Sequence, residues 1–470
     1  MTQAALSMRF SRHITFVGFF LLSIFSSCKP EKQEVMKEQT VGLVTVDPGH
    51  FHAALVQKAM YPGVDSTVHV YAPPGPDIQM HLERIEKFNT SPEEPTHWNE
   101  EVYTGADFFE KMLEENKGNV VVLSGTNEKK TEYLARSLQA GYNVLADKPM
   151  VIDTVGFEML KNAFATAATK KLLLYDIMTE RYEITTILQK EFSLIEDVFG
   201  TLERGSPDTP AVTKVSVHHF YKYVSGNILT RPPWFMDVRQ AGNGIVDVTT
   251  HLVDLVQWEC FPEQVLKYEE DIEILNAHRS ASEMTLSQFK AITKLDSFPE
   301  YLKSTIRRDS VLQIFCNGEI NYKIRGVHAR VSVDWKYKAP DGAGDTHYSI
   351  MRGTKANLII RQGTEQKFKP TLYIEAVKPD EAFEQRIIAR LKDIQTKYPG
   401  VGLRKNTNGW EVIIPDSYKE GHEAHFSRVM HKFLEYLKNG NMPDWEVPNM
   451  IAKYYTTTHA LLMATKSEKP

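Results

Sequence analysis

The chain of 470 residues is 42% hydrophobic and 24% charged, so it can bury the cores of two domains. Its formal net charge is −5 and it has no basic stripe with interleaved aromatic residues, which argues against a nucleic-acid partner. Three cysteines are too few for a disulfide framework or a thiolate metal site.

The first 28 residues have the pattern of a secretory signal. Arg9 and Arg12 precede the apolar run "ITFVGFFLLSIF", which is too short to span a bilayer comfortably and is followed by "SSC". This ending resembles the lipobox of bacterial lipoproteins, which implies that Cys28 is acylated and becomes the first residue of the mature chain. We therefore expect an exported protein of the periplasm or cell envelope with a lipid anchor in the membrane, and a polar tether at residues 29–40.

Residues 41–178 alternate buried strands with helices. Continuous apolar strands separated by helices predict a parallel sheet covered on both faces, which is a doubly wound nucleotide-binding domain of the Rossmann type. Gly141 stands where the C-terminal cap of a helix is expected. The predicted order is "VGLVTV", a helix to about Met60, "STVHVYA", a helix at "MHLERIEKF", "GNVVVLSG", a helix at "EKKTEYLARSLQAG", "YNVLA", a helix after Asp153, and "KLLLYDI".

Residues 179–470 carry longer β-rich runs with helices between them and at the end. They predict an α+β domain with a large, mainly antiparallel open sheet, and helices are expected near 283–305 and 417–438. Cys260 and Cys316 are expected to be core residues. The predicted strands are "AVTKVSVHHFYKYV", "HARVSVDWKYK", "HYSIMRG", "ANLIIRQG" and "PTLYIEAV".

In "VLADKPM", Lys148 ends a predicted strand and Pro149 holds it in extended backbone. Its ammonium group would therefore project from the carboxyl end of a parallel sheet, where ligands bind in this architecture. By itself a Lys-Pro dipeptide is a weak indication of catalysis.

In "GNGIVDVTTHLVDLVQWE", Asp247, His251 and Asp254 recur at i, i+4 and i+7, so they share one face of a predicted helix that Gly242 and Gly244 open. A carboxylate one turn from a histidine can orient the imidazole ring and support its protonated form. A buried histidine that bonds to an aspartate only for packing would have the same spacing.

The stretch "VTVDPGHFHAAL" holds the turn where such a domain usually carries G-x-G-x-x-G, but this turn has one glycine, Gly49, beside His50 and His52. The two histidines resemble the Asp-x-His-x-His metal motif of amidohydrolase barrels. The spacing from Asp47 has one residue too many, and the later strand-end histidines of such a barrel are missing. We therefore predict no metal and interpret the turn as a modified nucleotide turn.

Taken together, these motifs resemble the Gfo/Idh/MocA oxidoreductase family, named after glucose-fructose oxidoreductase and inositol dehydrogenase. The resemblance extends from about Val41 to Leu255 and fades through the C-terminal half. Its motifs here are "AGYNVLADKP", the strand and helix of "VVVLSGTNEKKTEYLARSLQAG" with Thr126-Asn127, "TERYE" with Arg181 and Tyr182, "GNGIVDVTTHLVDL", and "IMRGTKANLII".

The resemblance implies a role for each matched residue. Lys148 would hydrogen-bond the reacting hydroxyl, His251 would act as general acid and base, and Asp247 would orient His251. The cofactor would be NAD or NADP, tightly bound because an exported domain meets little free nucleotide. The residues expected to bind it are Gly49, His50, Phe51, Ser124, Thr126, Asn127, Asp147, Lys148 and Pro149.

A sugar or glycoside is the expected substrate, held by Lys222, Arg231, Trp234 and His251. The cofactor would be recycled within each turnover, which includes cleavage of a glycoside by oxidation, elimination and re-reduction. The alternative is a non-catalytic carbohydrate-binding lipoprotein on the same fold, which the altered glycine motif favours; a metal-dependent hydrolase is a third interpretation. The family resemblance also implies a homo-oligomer, either a dimer or a tetramer.

Overall fold

Six parallel strands form the first sheet of the computed structural model, which describes residues 40–467 except 225, 226, 309, 341 and 342. The strands are β1 (Leu43–Val46), β2 (Thr67–Ala72), β3 (Asn99–Thr104), β4 (Val120–Leu123), β5 (Asn143–Asp147) and β6 (Leu174–Ile177). Their order, β3-β2-β1-β4-β5-β6, is that of a dinucleotide-binding fold, so the predicted fold class of this part is confirmed.

The helices that follow these strands are α1 (His52–Leu55), α2 (Pro76–Asn89), α3 (Phe108–Glu115), α4 (Lys130–Ala140) and α5 (Thr154–Lys170). Gly141 caps α4 in the left-handed conformation, as predicted. The sequence pattern did not reveal β3, because this edge strand alternates exposed and half-exposed polar residues and has no apolar run.

The first helix is shorter than predicted, since α1 ends at Leu55 and not near Met60. Beyond it the chain turns away, and the carbonyl of Gln57 accepts a hydrogen bond from the Trp98 indole at 2.7 Å. A C-terminal helix, α13 (His422–Asn439), packs against α1 and β6 and adds its apolar side chains to the core of the first sheet.

A second, mixed sheet follows the order β10-β12-β13-β7-β14-β15-β16-β18-β17, with β11 beside β12. Only β13 and β7 pair in parallel among its described strands, so the prediction of a mainly antiparallel sheet is confirmed. Its strands are β7 (Val212–Tyr221), β10 (Ile272–Thr285), β11 (Ile306–Arg307), β12 (Val311–Ile324), β13 (Val327–Lys338), β14 (Thr346–Arg352), β15 (Ala356–Arg361), β16 (Thr371–Ala376), β17 (Gly402–Lys405) and β18 (Trp410–Ile413); β8 (Tyr223–Val224) and β9 (Asn227–Ile228) form a separate hairpin.

Two long helices lie between the sheets. Helix α14 (Glu446–Ser467) contacts α5 on one side and β10 on the other, and α9 (Thr249–Cys260) contacts α14, β7 and β13. The remaining helices are α6 (Ile184–Ser193), α7 (Glu196–Phe199), α8 (Val238–Ala241), α9 (Thr249–Cys260), α10 (Tyr268–Asp271), α11 (Leu286–Thr293), α12 (Glu381–Lys397) and α14 (Glu446–Ser467), with 3-10 helices at Thr179–Tyr182, Pro233–Met236, Glu300–Thr305 and Asp416–Tyr418.

Two of the three cysteines lie in the described part of the chain. Cys316 is buried, Cys260 is partly buried, and both are free thiols. No helix found between residues 40 and 467, as far as these are described, is long and apolar enough to cross a bilayer. The predicted signal, the tether and Cys28 lie outside the described residues.

Candidate active site

A cavity of about 1220 Å³ lies where the carboxyl ends of β1, β4 and β5 face β7 and the start of α13. Small-molecule sites usually enclose roughly 300–1,000 Å³, so this one has room for more than one small ligand. Ten of the predicted site residues line it: His50, Phe51, Asn127, Asp147, Lys148, Lys222, Arg231, Trp234, Asp247 and His251. Four predicted cofactor residues lie outside its lining: Gly49, Ser124, Thr126 and Pro149.

Lys148 stands directly after β5 and forms an ion pair with Asp247, with 2.6 Å between Nζ and Oδ1. Burial alone would lower the pKa of Lys148, but the carboxylates of Asp247 and Asp147 outweigh it and raise the pKa. Lys148 therefore presents a charged ammonium group at the edge of the cavity.

Helix α9 begins at Thr249, and Asp247 stands in the turn that leads into it, where its amide donates to the carbonyl oxygen of Asn243 at 3.0 Å. The start of this turn lies close against β12. A Cβ atom on Gly244 would lie 1.7 Å from the carbonyl oxygen of Cys316. Glycine is therefore required at this position for the close contact with β12, and it is not the first residue of a helix.

His251 lies in the first turn of α9, and its Nδ1 is buried without a hydrogen-bond partner among the described residues. Burial lowers the pKa of His251 well below its ordinary value, and the charge of Lys148 lowers it further. The ring is therefore neutral at neutral pH and able to accept a proton. The structure describes no hydrogen bond from Asp247 to His251; the carboxylate of Asp247 holds Lys148 instead.

The carboxylate of Asp147 is a second centre of polar contacts. Its Oδ2 lies 2.9 Å from His52 Nδ1, 3.0 Å from Ser124 Oγ and 3.3 Å from His50 Nδ1. Burial lowers the pKa of both histidines, so their rings are neutral. The ligand atoms of His50, His52 and Asp147 lie within 4.8 Å of one another and could hold a metal ion. The metal interpretation of the sequence named the two histidines, but the prediction was no metal and Asp147 was not part of that interpretation.

The turn after β1 has an unusual construction. Asp47 has a φ of 47°, and its buried carboxylate accepts a hydrogen bond from Thr126 Oγ1 at 2.9 Å. Beside it, Trp234 Nε1 donates to Asp77 Oδ2 at 2.7 Å, a contact that we call the clasp. The clasp covers Gly49, because a Cβ atom there would lie 3.0 Å from Asp77 Oδ2 and 3.2 Å from the Trp234 ring.

The residues present fit the nicotinamide end of a dinucleotide. Two buried atoms at the sheet edge, Asn127 Oδ1 and Asp147 Oδ1, have no hydrogen-bond partner in the described structure, as expected where a polar ligand binds. The pyrophosphate end differs from the usual pattern, because α1 is one turn long and Asp47 stands where a glycine would give the phosphate access to the backbone.

At the other end of the cavity, Asp345 collects the polar groups of β7 and the residues after it. Lys222 Nζ lies 2.6 Å from Asp345 Oδ2, the His219 amide donates to Oδ1 at 2.9 Å, and His218 Nδ1 lies 3.3 Å from Oδ2. Lys222 is therefore held as part of a polar wall. Asp345 itself has no signal in the sequence, since it stands in a polar loop between two strands.

Arg231 is buried, and it braces this wall. It donates to the carbonyl oxygen of Phe220 at 2.8 Å, and its guanidinium group lies over the rings of Phe235 and Trp335 at 4.7 and 5.3 Å. Burial lowers the pKa of Arg231 to about 10. Phe235 and Trp335 line the cavity, and such aromatic walls suit the apolar faces of sugar rings.

Among the cavity residues, Glu180, His422 and His425 were also missed by sequence reasoning. Glu180 follows β6 and lies at the ligand-binding edge of the sheet, a signal that the sequence contained. The two histidines belong to the first turn of α13, and no local pattern indicates that this distant helix reaches the cavity.

Comparison with known proteins relates the chain to oxidoreductases. The family described as "Putative oxidoreductase C terminal domain" matches residues 188–465. The crystal structure of a "putative oxidoreductase" from Parabacteroides merdae is 55% identical, with coverage of 91% of this chain and 98% of that chain and a TM-score of 0.89. No curated protein matches the chain.

More distant structures share the fold. Levoglucosan dehydrogenase, solved with NADH and levoglucosan, is 12% identical over 91% of this chain and 98% of that chain, with a TM-score of 0.58. A 3-ketoreductase from Actinomadura kijaniata, solved with NADP and TDP-benzene, is 14% identical over 90% and 98%, with a TM-score of 0.53.

Proposed function

This chain belongs to the oxidoreductase C-terminal domain family, and we propose that it is an NAD(P)-dependent oxidoreductase of the Gfo/Idh/MocA type that acts on a hydroxyl group of a sugar or glycoside. One observation carries the proposal: the Lys148–Asp247 ion pair and the neutral, unpartnered His251 line the same cavity at the carboxyl edge of the parallel sheet. A protein that only binds sugar needs no such combination of a cation and a base.

The proposed cofactor site lies at this edge, where Asn127 Oδ1 and Asp147 Oδ1 have no hydrogen-bond partner among the described residues. His50, Asn127 and Asp147 would hold the nicotinamide and its ribose. When bound, the nicotinamide would accept a hydride from the carbon of the reacting hydroxyl and could later return it.

The side chains would handle the proton of the same hydroxyl group. Lys148 would donate a hydrogen bond to its oxygen and favour the alkoxide, and His251 would take the proton. Asp247, through its bond to the ammonium group at 2.6 Å, would keep Lys148 in position. The charge of Lys148 helps to keep His251 neutral, and therefore able to accept a proton, before the reaction.

Tight retention of the cofactor is part of the proposal. The clasp joins the segment before α8 to the start of α2 across the turn after β1, so it would have to open before a dinucleotide held there could leave. Retention suits an exported protein, and we propose export with acylation at Cys28, on the signal-like sequence at residues 1–28. A dimer or tetramer through the open face of the second sheet completes the proposal.

Analysis of the bound small molecules tests the proposal directly. The chain without residues 1–28 is purified and denatured, and the released nucleotides are identified by mass spectrometry, with metals measured in parallel. Stoichiometric NAD or NADP is the expected result. A chain that neither releases nor binds added NAD or NADP would overturn the oxidoreductase proposal and favour the carbohydrate-binding lipoprotein.

The Asp147 group supports a second candidate function, a metal-assisted reaction. His50, His52 and Asp147 offer two nitrogens and one oxygen, and this is the ligand set of many catalytic zinc and iron sites. A stoichiometric divalent metal without nucleotide in the same measurement would favour this candidate.

A further inference from the structure

Glu180 is an acidic group of the cavity that the proposed oxidation step does not use. It lies in the 3-10 helix after β6, lines the cavity, and keeps 35% of its side chain exposed there. The nearest ionisable contact is His422, with 3.5 Å between Nδ1 and Oε1. In the part of the chain that the structure describes, no lysine or arginine lies within ion-pair distance of Glu180.

The surroundings of Glu180 suit a proton acceptor. Enclosure by the cavity walls raises the pKa of Glu180 above its ordinary value, although the charges of His425, His218 and Lys148 act in the opposite direction. A carboxylate of raised pKa is a stronger base than a free one, and a salt bridge that would neutralise it is absent among the described residues.

The oxidation of a hydroxyl group releases one proton, for which His251 already provides the acceptor. Once the ring carbon is a carbonyl, the hydrogen on the neighbouring carbon becomes acidic. When a base removes this hydrogen, the substituent on the next carbon along the ring can leave. A second base in the same cavity therefore points to elimination after oxidation.

We propose that Glu180 is the general base of this elimination, an inference that rests on the proposed function. Glu180 takes the proton from the carbon next to the carbonyl. The C–H electron pair forms a carbon–carbon double bond, the bond to the aglycone oxygen breaks, and that oxygen takes a proton from water. The step involves no net oxidation. It requires a glycoside oxidised two carbons away from its anomeric carbon, and this defines the substrate class.

The test compares Glu180→Gln with a matched control, Glu365→Gln, which removes an exposed carboxylate outside the cavity lining. The full chain is mixed with a panel of 4-nitrophenyl α- and β-glycosides in deuterated water. Reduction of the bound cofactor is followed by absorbance, 4-nitrophenol release by colour, and deuterium on the ring carbon next to the carbonyl by NMR. Thermal unfolding checks that each variant is folded, and Glu180→Asp serves as a second variant.

We expect Glu180→Gln to slow 4-nitrophenol release and deuterium uptake about 100-fold or more, with a less than tenfold change in cofactor reduction, whereas Glu365→Gln resembles the wild type. Equal loss of both steps, or unchanged release, would overturn the role of Glu180. A wild type that reduces its cofactor without release or deuterium uptake would overturn the inference and leave the proposed function intact. A wild type that performs neither step would overturn both.

Discussion

Helix α9 takes part in two clusters of charged side chains that differ in how completely their polar atoms are paired. At its start, His251 lies beside the Lys148–Asp247 pair in the open cavity. One turn further on, Asp254 is buried and accepts two hydrogen bonds from Arg181 at 2.7 Å and one from Lys453 at 2.8 Å. Both clusters place charged side chains inside the protein, but they differ in whether all of their polar atoms have hydrogen-bond partners.

The buried cluster is closed by its own partners. Arg181 also donates to Glu446 at 3.0 Å, and Lys453 also reaches Asp176 at 2.7 Å. The cavity cluster, by contrast, leaves His251 Nδ1 and Asp147 Oδ1 unpaired among the described residues. Paired buried charges hold a fold in one arrangement, whereas unpaired buried atoms are expensive unless a ligand satisfies them. We therefore expect the buried Asp254 cluster to stabilise the fold and the cavity cluster to bind a ligand.

The largest effect is expected in the cavity. Lys148→Ala or His251→Ala should lower turnover by about 10²–10⁴-fold, because each removes a proton-handling group from the reacting hydroxyl. The fold should be unchanged. Steady-state kinetics and thermal unfolding measure both effects, with the exposed Lys129→Ala and His278→Ala as controls. Wild-type activity in either cavity variant would contradict the catalytic role of the substituted residue.

The buried cluster should respond in the opposite way. Asp254→Asn weakens three charge-assisted hydrogen bonds from Arg181 and Lys453, each of which keeps a second carboxylate partner, and should lower the free energy of unfolding by about 3 kcal/mol. The control is Asp197→Asn, which breaks an exposed pair with Arg390 and should change stability by about 0–1 kcal/mol. Urea unfolding decides the outcome, and equal losses in the two variants would refute the comparison.

The hydrogen bond of the clasp is expected to slow the release of bound nucleotide. Trp234→Phe keeps an aromatic ring but removes the hydrogen bond to Asp77, so bound nucleotide should be lost about tenfold faster. The loss is measured as the nucleotide that remains after timed dialysis. Trp445→Phe, in another part of the chain, is the control. Identical retention in both variants would mean that the clasp does not hold the cofactor.

The smallest effect is a dependence of stability on pH. The charges of Arg181 and Lys453 outweigh burial and lower the pKa of Asp254. A carboxylate of depressed pKa contributes stability above its unfolded pKa of about 3.9, and this contribution is lost as the pH falls through the folded pKa. The stability difference between wild type and Asp254→Asn should therefore shrink by about 1 kcal/mol from about pH 5 to about pH 3. Unfolding curves at several pH values measure it, and a constant difference would contradict the assignment.

Much of the fold and of the cavity could be predicted from the sequence. The runs around "VVVL" and "NVLAD" are continuous and apolar, because strands of a parallel sheet are buried on both faces. Lys148 was found because it directly follows a buried strand, and His251 was found because it lies in a regular helix. The i, i+4 spacing placed Asp247 one turn from His251, but spacing alone could not show that the carboxylate pairs with Lys148.

Local sequence patterns were enough to predict the strands of the first sheet, the cap at Gly141 and the groups that could accept or donate a proton. Which of these groups meet depends on how the folded chain packs. The tertiary structure pairs Asp247 with Lys148, joins Asp254 to Lys453, and brings His422 of α13 to Glu180. These contacts join residues far apart in the chain, and their partners are fixed by the packing of α9, α13 and α14 against the two sheets. Spacing along one segment carries no information about such packing.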